Sequence, residues 1–305
     1  MRIGLALAGG GARGAAHIGV LQVLHGNGIP LDTVAGSSAG AVAGAMYAAT
    51  LDPEWMEKRY REFLESDLFK SVGAGRLRRS PSSGEPESFF NQIGRLVKDK
   101  LVITIALGRQ GIIGRDKLEQ IVRFLVPVRD FSELRLSLKV VVTDLNTGGD
   151  LIVSQGDLVE AVVQSSSIPG YMWPWKKDGQ VLVDGGVSCP VPINTLLNSG
   201  LDFTIAVDIA RRKMKTLDSL NVVDVIARAE QITVNKLSDE LVRKADFVIE
   251  PDVSDAHWTE FDRFDEFLEN GRQATVEALP LLREQLRARA RWGYRLRQWL
   301  KRKVS

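Results

Sequence analysis

The chain has 305 residues, 44% of them apolar and 26% charged, enough for one large domain or two small ones with a substantial core. A single cysteine, Cys189, excludes an intrachain disulfide and fits a reducing compartment, and no run approaches the roughly 20 apolar residues of a membrane-spanning helix. The net charge of +2 hides an asymmetry: residues 281–305 hold nine basic side chains and one acid, so the tail carries +8 and the rest −6.

Residues 2–8 read as a buried strand, because the apolar run is too short for a secretory signal and dissolves into glycines. Gly9-Gly10-Gly11-Ala12-Arg13-Gly14 follows. A helix from about Ala15 to His25 comes next, with Ile18, Leu21, Val23 and Leu24 on its apolar face and Gly26-Asn27-Gly28 as its stop. A short strand, Thr33 to Ala35, then runs into Gly36-Ser37-Ser38-Ala39-Gly40 and an Ala/Val-rich helix. Strand, helix and strand in such quick succession point to a parallel sheet.

Strand, sharp turn and helix are the context that a G-x-S-x-G nucleophile requires. Gly36 and Gly40 admit close neighbours, and the Ser38 hydroxyl would stand at a helix N-terminus, where developing negative charge is favoured. The plainer reading is a Gly/Ser turn. Gly9-x-Gly11-x-x-Gly14 also has two readings. One is a dinucleotide fingerprint with Asp32 as its downstream acid, which would make the protein an oxidoreductase. Asp32, however, precedes its strand instead of ending it. The other reading is an oxyanion hole of glycine-loop amides with Arg13 shaping the loop, and the elbow downstream favours it.

Pro53 opens an amphipathic helix over residues 53–65. Residues 66–113 read as an insertion, either a lid or a solvated loop, with a short helix around Glu87 to Asp99; helical order returns over Arg115 to Leu125. Leu138 to Thr143 is a strand covered on both faces. Asp144-x-Asn146-x-Gly148-x-Asp150 mimics a calcium loop, but Gln155 stands where the twelfth-position acid belongs, so it reads as a turn into a strand over Leu151 to Ser154. Asp157 caps a helix to about Ser166, which Ile168-Pro169-Gly170 breaks. The cluster Tyr171, Met172, Trp173, Pro174 and Trp175 is either core or the lining of an acyl pocket, and Lys177-Asp178-Gly179 is a hairpin turn. Val181-Leu182-Val183 is a buried strand ending in Asp184-Gly185-Gly186, which places an acid at the sheet edge where ligands bind. Phe203 to Asp208, Leu217 to Arg243 and Phe247 to Glu250 complete the pattern as strand, helix and strand.

Ser38 needs a base. His17, His25 and His257 are the only histidines, and none follows a buried strand where a triad histidine belongs; they also make no metal set with Cys189. Asp184 is the best-placed candidate. As a carboxylate it is a weak base at neutral pH and needs burial and a short contact to Ser38.

The glycine loop 9–14, the elbow 36–40 and Asp184-Gly185-Gly186, in this order and spacing, resemble the patatin-like phospholipases; Ser165-Ser166-Ser167-Ile168-Pro169-Gly170 is similar to the family's segment before the aspartate. The resemblance covers roughly residues 2–210. It implies a three-layer α/β/α fold with a mainly parallel sheet and a Ser–Asp dyad without histidine or cofactor. Ser38 is then nucleophile, Asp184 general base, and Gly10, Gly11 and Ala12 oxyanion donors, with Gly9, Arg13, Gly14, Gly36, Gly40, Gly185 and Gly186 in support. Implied substrates are acyl esters of phospholipids or lysophospholipids; a non-catalytic, membrane-peripheral protein of the same fold is the alternative.

Residues 1–250 are thus expected to form the hydrolase domain and 251–305 a helical extension. At helical spacing, Leu281, Leu282, Leu286, Trp292, Leu296, Trp299, Leu300 and Val304 share one face, interrupted by Arg289 and Gly293, with Arg283, Arg287, Arg291, Arg295, Arg297, Lys301 and Arg302 outside it. Such a helix suits an anionic membrane surface, or packs its stripe on the domain; nucleic acid is not an expected partner, since no recognition motif accompanies the charge. The expected location is cytoplasmic, at most peripheral at the inner face of the membrane.

Overall fold

The computed structural model describes residues 1–304 apart from 74–112, 211, 215, 218, 219, 221 and 254. Its strands are β1 (Ile3–Leu7), β2 (Thr33–Ser37), β3 (Ser137–Asp144), β4 (Gly149–Val153), β5 (Trp175–Lys177), β6 (Gln180–Asp184), β7 (Phe203–Val207) and β8 (Phe247–Ile249). The helices are α1 (Ala15–Gly26), α2 (Ala39–Thr50), α3 (Pro53–Glu65), α4 (Asp67–Gly73), α5 (Arg115–Leu125), α6 (Leu158–Ser165), α7 (Asn194–Leu197), α8 (Val222–Val242) and α9 (Phe264–Val304). Caps fall where the side chains dictate. Asp52 accepts the Glu54 and Trp55 N–H groups ahead of Pro53, and Asp157 accepts the Glu160 N–H.

One sheet runs β5-β6-β3-β2-β1-β7-β8, with β4 also on β3. The pairs β3-β2, β2-β1, β1-β7 and β7-β8 are parallel. Every residue of β1, β2 and β7 is buried, as continuous apolar runs in a sheet covered on both faces require. The cover is visible on β1. Gly4 faces Leu196 of α7 and Leu201, whereas Leu7 points the other way, toward Gly44 of α2. Helix, sheet and helix make the three layers expected.

The departures from a simple parallel sheet lie at β3. Its residues 137–141 pair with β2 and 142–144 with β6, while β4 occupies 140–144. The overlap places β4 on one edge of β3, so β2 and β6 must share the other. There β6 runs antiparallel to β3, toward the end of β2.

The expected helix at 217–243 begins at Val222, and the one read at 281–304 begins much earlier, at Phe264. Of the expected 66–113 insertion, α4 covers the start; the rest of the candidate lid, including the helix read at 87–99, lies in 74–112, outside the described residues. Pro280 sits within α9 on its exposed side, where the carbonyl it deprives of a partner can reach water. Residues 264–291 are not set apart from the sheet. Phe264, Phe267, Leu268, Leu279, Leu282 and Leu286 are buried, and α9 crosses α1 at backbone contact. A Cβ on Gly271 would stand 2.1 Å from Ala16 O, and one on Gly19 would stand 2.1 Å from Leu268 O. Gly271→Val is therefore expected to destabilise the fold by about 2–3 kcal/mol, as overpacking does. A fall in the urea midpoint at constant slope checks it.

Candidate active site

Ser38 sits between β2 and α2 with φ 53° and ψ −121°, a conformation that L residues rarely adopt. Three contacts hold it there. Its N–H donates to Ser165 Oγ at 2.9 Å, and its carbonyl accepts the N–H groups of Ala41 at 2.8 Å and Val42 at 3.1 Å. Gly40 fits against β1, since a Cβ on it would meet Leu7 O at 2.1 Å; a Cβ on Gly36 would in turn meet Gly40 O at 2.4 Å. Ser37 Oγ anchors the strand end by donating to Cys189 O at 2.6 Å.

The Ser38 hydroxyl donates to Asp184 Oδ2 at 2.6 Å, and both residues are buried. Asp184 Oδ1 accepts the Gly186 N–H at 2.7 Å, its backbone N–H donates to Ser167 O, and its carbonyl accepts the Thr143 hydroxyl at 2.9 Å. Burial raises the Asp184 carboxyl to about 7; hydrogen bonds from Ser38 and Gly186 oppose the rise, and the charge of Glu230 on α8 adds to it. The acid reaches the serine by a different route from the one its sequence suggests. It does not end a parallel strand. It ends β6, which approaches β2 head to head along β3, so both strand ends meet near Val141 and Val142. Gly185 fits there because a Cβ on it would lie 2.1 Å from Val141 O.

The glycine loop lies alongside: a Cβ on Gly9 would be 3.3 Å from Ser38 Cβ, and one on Gly14 2.7 Å from Ala39 Cβ. Gly9 N–H donates to Pro190 O at 2.9 Å. Among the described residues, the Gly10 and Gly11 N–H groups meet no acceptor. The reading of Ala12 as a third donor needs correction, because its N–H is fixed on Trp258 O at 2.8 Å. Arg13 Nη1 donates to Ala256 O at 2.9 Å, so this side chain ties the loop to the segment after β8. Asp32 caps Ile3 N–H at the other edge of the sheet, away from the loop and from any ribose bound there.

Among the described residues, no histidine is hydrogen-bonded to Ser38. His17 is buried with Nε2 on Ala8 O, and desolvation lowers it to about 4; His25 faces Tyr47 and His257 faces Thr259. Among the described residues, no three His, Cys, Asp or Glu side chains gather as metal ligands. The Asp144 loop is a turn whose carboxylate accepts from Asn146, Thr147 and Val181.

Ser38 and Gly11 open onto a cavity of about 200 Å³ walled by apolar side chains such as Val42, Met46, Phe63, Leu125 and Ile168. Of the aromatic cluster, none is fully buried core: Met172 lines the cavity, Tyr171 packs on Trp258, Arg115 stacks over Trp175, and Trp173 is exposed. Ser165, Thr143 and Trp258 bear on the site, yet local sequence carries no sign of their partners. Only the family-like run at 165–170 hints at the first.

A buried acid at the end of a strand is thus bonded to a serine in a strained elbow, beside the amides of a glycine loop. The patatin-like phospholipase family model matches residues 5–197, and the chain belongs to that family. An uncharacterized NTE family protein of Mycobacterium tuberculosis is 31% identical over 210 residues, 68% of this chain and 49% of the relative. A patatin-like phospholipase domain-containing protein of Caenorhabditis elegans is 32% identical over 209 residues, covering 68% of this chain and 13% of its own length. The chain thus spans about half the length of the mycobacterial relative, or less of larger ones. The fold is shared with VipD from Legionella pneumophila, with a TM-score of 0.51 and 18% identity over 91% of this chain and 66% of that one. It is also shared with human GIVD cytosolic phospholipase A2 in complex with methyl gamma-linolenyl fluorophosphonate and terbium chloride, with a TM-score of 0.51 and 11% identity over 94% of this chain and 59% of that one.

The raised Asp184 value has a consequence for stability. Its folded value lies above the unfolded 3.8, so the native state holds more protons between about pH 4 and pH 7 and loses stability as pH rises through that window. Asp184→Asn is expected to raise the unfolding free energy by about 1–3 kcal/mol at pH 8 and to change it little at pH 4. Denaturant titrations at the two pH values test this.

Proposed function

We propose that the protein hydrolyses acyl esters of phospholipids or lysophospholipids through a Ser38–Asp184 dyad. The observation that carries the reading is the 2.6 Å hydrogen bond from the Ser38 hydroxyl to a buried carboxylate, beside an apolar cavity. Asp184 Oδ2 takes the proton as Ser38 Oγ attacks the ester carbonyl, and the Gly10 and Gly11 N–H groups receive the oxyanion. Collapse releases the alcohol, protonated from Asp184, and leaves the acyl group on Ser38; water then repeats the sequence and frees the fatty acid. The apolar cavity takes the acyl chain.

Ser38→Ala and Asp184→Asn should each lower kcat for a phospholipid or p-nitrophenyl ester by about 10³-fold or more while the protein stays folded. An alkyl fluorophosphonate should label the unsubstituted chain and not Ser38→Ala. Full activity in either variant would falsify the dyad. Since only the carboxylate accepts the proton, kcat/KM is expected to fall as pH drops below about 7.

The non-catalytic, membrane-peripheral reading rests on the basic tail. Leu282 and Leu286 pack on the domain, Arg283 donates to Asn27, and Arg289 pairs with Asp246 and stacks near Phe203. These partners belong to the sheet edge opposite Ser38. A membrane role therefore falls to residues 292–304, whose side chains lie outside the described ones. Vesicles rich in anionic lipid should pellet the full chain better than a chain ending at Arg291 at low salt, with the difference lost at high salt. Equal pelleting would move lipid contact elsewhere, for instance to the exposed Leu220, Val222 and Ile226 at the start of α8.

A further inference from the structure

The turn after β8, residues 255–260, touches both halves of the site. Its backbone grips the glycine loop: Trp258 C=O accepts the Ala12 N–H at 2.8 Å, and Ala256 C=O accepts from Arg13 Nη1 at 2.9 Å. Gly11, at φ 59°, lies so near that a Cβ on it would stand 2.5 Å from the Trp258 oxygen. Residues of the same turn line the substrate space. The Trp258 residue walls the cavity beside Thr259, and its indole meets Tyr171 edge-on with 5.0 Å between ring centroids. The turn is braced from within, since His257 N–H donates to Glu260 Oε1 and the His257 ring meets Thr259 Oγ1 at 2.8 Å.

The same residue therefore touches the loop of the proposed oxyanion amides through its carbonyl and also lines the cavity. We propose that Trp258 is a positioning residue that makes turnover depend on acyl length: a chain long enough to reach the indole holds the 255–260 turn, and the turn holds the Gly10 and Gly11 amides. The inference rests on the ester-hydrolase reading above. An acyl chain too short to reach the ring leaves the turn to Tyr171 and its own hydrogen bonds. Oxyanion donors act only when preorganised, and a displacement of the order of 1 Å costs about 100-fold in rate, so a small gain in order at this turn registers in kcat. The turn lies outside residues 5–197 that the family model matches.

The test is a series of p-nitrophenyl esters from butyrate to palmitate, with kcat and KM measured separately for the full chain, Trp258→Phe and Trp258→Ala. For Trp258→Ala the ratio of kcat on palmitate to kcat on butyrate should fall about tenfold or more, and Trp258→Phe should restore most of it. A loss confined to KM on the long esters would mark a passive wall and overturn the proposal. Equal loss of kcat along the series would mark a general structural role and overturn it too. Should Trp258→Ala not fold, Trp258→Leu takes its place with the same expectation. An unsubstituted chain inert toward every ester overturns the hydrolase reading and this inference together; an active chain whose ratio is unmoved by the substitutions overturns this one alone.

Discussion

The free edge that β3 extends beyond β2 is the constraint on which the site depends. A strand longer than its neighbour leaves three residues of backbone donors and acceptors to satisfy, and β6 satisfies them from the opposite direction. Two strands then end facing each other in the middle of a covered sheet. Whatever residues stand at those ends are held together and kept from water. Here they are Ser38 and Asp184, and the burial that comes with the position raises the carboxyl to about 7. An ordinary surface aspartate would be a poor base for a serine hydroxyl, and at this position it need not be ordinary.

Close backbone approach is the second condition. The elbow, the glycine loop and the β6 end converge through glycines whose missing Cβ atoms would collide with carbonyl oxygens of β1, β3 and Trp258. The same device joins α1 to α9, where Gly19 and Gly271 let two helices touch. That contact draws residues 264–291 into the body of the molecule. It also carries the turn at 255–260 onto the glycine loop, so a segment far from the motifs in sequence completes the wall of the cavity.

Charge divides along the same axis. Two described basic residues of the tail, Arg283 and Arg289, find partners at Asn27 and Asp246, at the edge where the parallel strands begin. The catalytic candidates and the apolar side chains that open α8 stand where those strands end. Arg289, which interrupts the apolar stripe of an isolated helix, is not an interruption in the fold, because Asp246 lies within reach of it.

Local pattern was enough for much of this protein. Apolar runs mark the buried strands, Pro53, Asp157 and the glycines mark helix ends, and Gly36-Ser37-Ser38-Ala39-Gly40 declares a turn that only small residues can make, because each signal depends on neighbours a few residues apart. The order of the three motifs was sufficient to name the family. Only the tertiary structure decided that β6 runs against β3, that Ala12 N–H belongs to Trp258 and not to an oxyanion, and that the aromatic cluster splits between cavity wall and surface. The reason is physical: strand direction, hydrogen-bond ownership and burial are settled between segments distant in the chain, and no local spacing encodes which distant carbonyl an N–H will meet.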